Sequence, residues 1–189
     1  TNKLYVFGGY GNYSYSGNLM RFNDQKNKWD TLKLSGDRIA PRMHTVAGVA
    51  ADSDMFYIYG GVGNETGKQE LGREFYSDLY LVDTKNLKVK KLWAHPTEDT
   101  DLIPKRSLIY MKELNSIYLL CSNRNNGKIG LYAYDISSGK CLRVSNETLV
   151  NTNCINSTAY LFYDKELQKF CMAVKQAEDS KDIAQVEVY

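Results

Sequence analysis

The residues best suited to recognition chemistry fall in a few short stretches. Tyr10, Tyr13 and Tyr15 place three phenol rings within six residues, interleaved with Gly11, Ser16 and Gly17. Tyrosine offers a broad amphipathic contact surface while freezing few torsions, which suits a recognition loop. The same composition also fits an ordinary loop in a chain that holds 15 tyrosines. Arg73, Glu74, Phe75 and Tyr76 bring a guanidinium, a carboxylate and two rings into what reads as the largest insertion of the chain. An insertion that a fold does not need is a mild pointer to function. Arg38, Arg42, Lys105, Arg106 and Arg124 supply cations for a basic rim that reads carboxylates, which arginine grips with paired N–H donors.

Catalytic chemistry finds little to work with. His44 and His95 are the only histidines, and no cysteine stands at ligand spacing from either, which disfavours a metal site. Gly8-Gly9-Tyr10-Gly11 lacks both the following Lys-Ser or Lys-Thr and a helix, so it makes no phosphate loop. No Gly-x-Ser-x-Gly elbow occurs. Glu98, Asp99 and Asp101 offer closely spaced carboxylates, although such a run reads equally as a solvated connection. No cofactor is expected. Cys121, Cys141, Cys154 and Cys171 match neither a zinc module nor a small disulfide scaffold; buried free thiols are expected, with a single disulfide as the alternative. Four Asn-x-Ser/Thr sequons start at Asn12, Asn64, Asn146 and Asn156, a short pattern that is common in an asparagine-rich chain.

The net charge of +2, with 24% charged and 43% hydrophobic residues, is that of an ordinary globular chain. It argues against a dedicated nucleic-acid or membrane-surface binder, which shows a clustered basic stripe. No run approaches the roughly 20 apolar residues that a membrane-spanning helix requires. The compartment stays open between cytoplasmic and extracytoplasmic.

The elements that position these residues repeat. Leu4-Tyr5-Val6-Phe7, Phe56-Tyr57-Ile58-Tyr59, Ile117-Tyr118-Leu119-Leu120 and Phe170-Cys171-Met172-Ala173 are apolar runs too short for helices, and each reads as a strand buried on both faces. The first two end in Gly8-Gly9 and Gly60-Gly61. After each of the first three runs comes a hairpin signature, ending in Asn23, Asp83 and Asp135 at the turn. A further strand precedes each later run: Arg42 to Ala47, Arg106 to Tyr110, and Ser157 to Leu161. The unit is four antiparallel strands, repeating at about the 40 to 50 residues of a propeller blade and lengthened by loops. The chain is thus all-β, with one propeller segment over 1–189 and blades over 1–37 (partial), 38–100, 101–149 and 150–189 (partial).

This pattern resembles the kelch-repeat propellers. Their blades carry a glycine pair at a strand end, then an aromatic, then a tryptophan. The first blade matches with Gly8, Gly9, Phe22 and Trp29; the second keeps Gly60 and Gly61 but has Val82 and Val89. Pro41-Arg42-Met43-His44 resembles the start of many kelch blades, so Arg42 and Arg106 are expected to be structural in part. The third and fourth blades replace the glycine pair with Cys121-Ser122 and Val174-Lys175. The resemblance implies a place in a larger ring of about five to seven blades, the rest lying outside these residues.

It also implies a non-catalytic interaction module, the sensor or scaffold part of a larger protein, that takes a protein, peptide or glycan on one loop face. The loops of that face are Tyr10 to Gly17, Val62 to Ser77 and Asn123 to Lys128, with the inter-blade connections. The residues expected to bind are Tyr10, Tyr13, Tyr15, Arg38, Arg73, Phe75, Tyr76, Arg106 and Arg124. The alternative is a carbohydrate-active enzyme similar to the sialic-acid mutarotases, for which Glu74 with Arg73, or Arg106, would have to converge on an axial pocket.

Overall fold

The structure is a computed structural model that describes residues 3–50, 54–96, 101–145, 150–151, 158–177 and 184–188. Two compact units divide the chain, Thr1–Thr97 and Glu98–Tyr189; each holds two successive, mainly antiparallel sheets of three or more strands, and the first adds the two-stranded pair Tyr10–Gly11 and Ser14–Tyr15. The larger sheets have the antiparallel order of propeller blades.

In the first unit, one sheet orders Tyr5–Phe7, Leu19–Asn23 and Lys28–Leu32. The next sheet sets Arg42–Met43 and Val46–Val49 along Met55–Gly63, followed by Glu74–Asp83 and Lys88–His95. The connection between the two sheets is strapped to the second, because Ser35–Gly36 pairs in parallel with Lys88 and Val89. The Asp37 carboxylate continues the strap by accepting from the Lys91 N–H at 2.6 Å. In the second unit, Leu102–Pro104 and Ile109–Met111 lie one after the other along one edge of Ser116–Asn123, whose other edge pairs with Lys128–Asp135, followed by Cys141–Arg143. The last sheet orders Thr158–Asp164, Lys169–Ala177 and Ala184–Val188.

The hairpin turns use the chemistry expected of Asn and Asp. The Asp83 Oδ1 accepts from the backbone N–H groups of Lys85 and Asn86, both at 2.9 Å. Asp135 does the same for Ser137 and Ser138, and Asn23 for Lys26. Such side-chain oxygens stand in for the missing ladder partners of a turn. They also favour the charged form: bonds from Asn86 hold the Asp83 carboxyl below its ordinary range, and those from Ser138 do so for Asp135.

Each unit buries its apolar strand faces between its own two sheets. Leu19 of the first sheet meets Ile58, Tyr80, Val82 and Val89 of the second, with Tyr5, Phe7 and Leu32 packed around them. In the second unit Tyr118, Leu120, Ile129 and Leu131 meet Ala159, Leu161, Met172 and Val174. Burial of this kind is the main source of stability in a sheet stack, at about 25 cal/mol per Å2 of apolar surface.

Three expectations need correction. The first apolar run is buried on one face only: Leu4 is 61% and Val6 40% exposed, because alternation along the strand sends Tyr5 and Phe7 towards the second sheet. The loop expected over Val62 to Ser77 is shorter. Glu74↔Gly63, Phe75↔Val62 and Tyr76↔Gly61 are paired, so both strands run on and the connection spans 64–73. Cys141 is exposed, whereas Cys121 is buried and Cys171 half-buried; all three are free thiols, and Cys154 lies outside the described residues.

Candidate recognition surface of residues 1–97

The glycine pair sets the geometry. Gly8 and Gly9 have φ values of 71° and 117°, a region where side chains are strained. Space forbids a side chain too, since a Cβ on Gly8 would lie 2.4 Å from the Arg42 carbonyl oxygen. The close approach lets the Gly9 N–H donate to that same oxygen at 2.9 Å, while the Arg42 N–H donates to the Ser16 carbonyl at 2.9 Å. The first sheet is thereby fastened to the second through the backbone of one arginine.

The Arg42 side chain is buried, 1% exposed, and fully engaged. Nη1 and Nη2 grip Asp78 Oδ1 and Oδ2 at 2.6 and 3.1 Å. Nε donates to the Ala40 carbonyl at 2.9 Å and Nη1 to the Gly60 carbonyl at 3.2 Å. The guanidinium carbon lies 3.7 Å from the centre of the Tyr76 ring. Burial raises the Tyr76 hydroxyl to about 12, so it stays protonated at neutral pH. Arg42 is structural, and Tyr76 is half-buried as its stacking partner rather than presented to solvent.

Above this anchor, Tyr10–Gly11 and Ser14–Tyr15 form a small hairpin whose tip, Asn12 and Tyr13, takes positive φ values of 49° and 58°. The hairpin is docked along the 64–73 connection. The Tyr15 N–H donates to the Gly67 carbonyl at 2.7 Å, the Gln69 N–H donates to the Tyr13 carbonyl at 3.0 Å, and Ser14 bridges to Lys68. The Tyr10 hydroxyl bonds the Gln69 side-chain oxygen. Tyr15 turns inward, 7% exposed, and its ring packs on Tyr10 at 5.5 Å. Tyr13, by contrast, is 81% exposed, with Tyr10 at 46% and Leu71 at 62%. Arg38 joins the same connection, donating to the Glu65 carbonyl at 2.8 Å and lying 3.8 Å from the Glu65 carboxylate.

The hairpin and the connection therefore present an aromatic and aliphatic surface, Tyr10, Tyr13 and Leu71, on a rigid mount. Arg73 is exposed and reaches over the Phe75 ring at 5.9 Å, with Phe75 half-buried in its strand. Arg106 and Arg124 belong to the other unit. Arg106 is exposed, its N–H donating to the Ala159 carbonyl; Arg124 is exposed, its N–H donating to the Asp101 carbonyl. No group of His, Cys, Asp or Glu among the described residues is placed to hold a metal ion. Glu98 and Asp99 lie outside the described residues.

Sequence reasoning missed Asp78, Gln69 and Asn64. Asp78 had a readable signal, a carboxylate opening the apolar run Leu79-Tyr80-Leu81-Val82, where a buried charge needs a counter-charge. Gln69 had none, because it meets Tyr10 and the Tyr13 carbonyl, far away in sequence, and Asn64 offered only its sequon.

Comparison with known families gives one finding. The KLHDC2/KLHL20/DRC7 Kelch-repeats domain matches residues 1–143. No curated protein matches the chain.

Proposed function

We propose that this chain, which belongs to the KLHDC2/KLHL20/DRC7 Kelch-repeat family and is thus a propeller interaction module, recognises a protein or peptide segment through the hairpin 10–15 and the connection 64–73. The observation that carries this reading is Tyr13. A large aromatic ring, 81% exposed, stands at the tip of a hairpin that backbone hydrogen bonds fix in place. An exposed aromatic on a rigid mount loses little entropy on binding, which is how hot-spot residues gain affinity. Tyr10 and Leu71 extend the apolar surface, and Arg38, Glu65 and Arg73 supply a charged rim.

A second contact follows from the repeat. Phe56 and Ile58, the counterparts of Leu4 and Val6 in the second sheet, pack on the first sheet. The Leu4 and Val6 face of the first sheet is therefore the seat of a further blade.

Peptides selected from a displayed random library on the immobilised chain test the recognition reading. Tyr13→Ala is expected to weaken the selected peptides at least tenfold, about 1.4 kcal/mol. Its melting midpoint should stay put, since an exposed side chain contributes within about 0.5 kcal/mol to stability. Undiminished binding by both Tyr13→Ala and Leu71→Ala would sink the proposal.

A further inference from the structure

Two of the four sequons fall on described residues, and their surroundings are opposite. Asn12 is exposed at the hairpin tip. Asn64 is 6% exposed, and its whole amide is engaged. Nδ2 donates to the Lys68 and Gly72 carbonyls, each at 2.7 Å. Oδ1 accepts from the Thr66 N–H at 3.0 Å and from the Thr66 hydroxyl at 2.7 Å. This one side chain folds the 64–72 connection, which in turn holds the hairpin through Gly67, Lys68 and Gln69.

N-linked transfer from a lipid-linked oligosaccharide forms a bond from Nδ2 to the first sugar carbon. It releases the lipid pyrophosphate and gives up one amide hydrogen as a proton. At Asn64 that sugar would have to stand where a carbonyl oxygen now lies 2.7 Å from the nitrogen. The fold has no room there, and the displaced carbonyl would lose its donor in a buried site. Transfer acts on chains before they fold, so burial gives Asn64 no protection.

We propose that Asn64 is a folding residue inside a sequon the fold cannot carry modified, so this chain acquires its structure in a compartment that N-linked glycan transfer does not reach. The threonine that completes the sequon is there because its N–H and hydroxyl close the turn on Asn64, and its own oxygen accepts from the Lys68 N–H at 3.1 Å.

The test directs the chain into the secretory pathway of cultured eukaryotic cells, with Asn12→Asp, Asn146→Gln and Asn156→Gln leaving Asn64 as the sole acceptor. Half the cells receive tunicamycin to block transfer. Expected is a glycan on Asn64 in untreated cells and a trypsin-resistant fraction at least tenfold lower than in treated cells. Thr66→Ala, which ends the sequon, should restore resistance without the drug; should that variant fold poorly in itself, the drug arm decides. Equal resistance with and without transfer, whether high or low, overturns the proposal, as does a folded untreated chain whose Asn64 is unmodified.

Discussion

Replacing Arg42 with alanine is expected to destabilise the 1–97 unit by roughly 3–5 kcal/mol, the cost of leaving one member of a buried ion pair uncompensated. Asp78 would be left at a side chain only 6% exposed, with no cation to answer it. The Ala40 and Gly60 carbonyls would lose their donors at the same time, and Tyr76 its stacking partner. A double replacement, Arg42→Met with Asp78→Leu, removes the orphaned charge. It should recover only part of the loss, because the two carbonyls remain unanswered. Denaturant unfolding followed by tryptophan fluorescence reads this directly, since Trp29 and Trp93, the only tryptophans, both lie in this unit. A loss under about 1 kcal/mol, the range of an exposed ion pair, would show that the guanidinium is not buried as described.

The second large effect is expected at Gly63. Its φ is unexceptional, so the argument is one of space alone. A Cβ there would stand 2.0 Å from the Pro41 carbonyl oxygen and 2.8 Å from the Arg42 Cα. Both neighbours are backbone atoms, so the strand Arg42–Met43 must move off Met55–Gly63 for alanine to fit. Overpacking of this kind costs about 1–3 kcal/mol, and more when the clash is with backbone. Gly63→Ala should therefore unfold at lower denaturant than the wild type, while Gly11→Ala, where nothing lies within 4 Å of the new Cβ, should move the midpoint little. Similar midpoints for the two variants would refute the close approach at Gly63.

How much of this was readable beforehand depends on whether the signal is local. The apolar runs, the Asn and Asp turns and the glycine pair all act within a few residues of themselves, and the blades follow from them. The positions of Phe75 and Tyr76 were not readable in the same way. Arg73-Glu74-Phe75-Tyr76 looks like an insertion by composition, and only pairing with Val62 and Gly61 shows that two of its residues are strand. Tyr15 was grouped with Tyr10 and Tyr13 by spacing, yet strand alternation and the bond to Gly67 turn it inward. Arg42 and Arg106 looked alike in sequence and differ in surroundings. The first meets Asp78, whereas the corresponding position of the third blade's hairpin signature is Gly130, which offers no carboxylate. Asn64 carried a misleading signal, since a pattern read as a surface acceptor is the buried organiser of the connection.

The most direct test of the recognition surface is amide hydrogen exchange of the chain with and without a peptide selected on it. Binding is predicted to slow exchange at residues 10–15 and 64–73 together, because the hairpin and the connection are one hydrogen-bonded unit. Protection confined to the strand Tyr5–Phe7, or to Thr158–Asp164 in the other unit, would place the binding surface elsewhere and contradict the account.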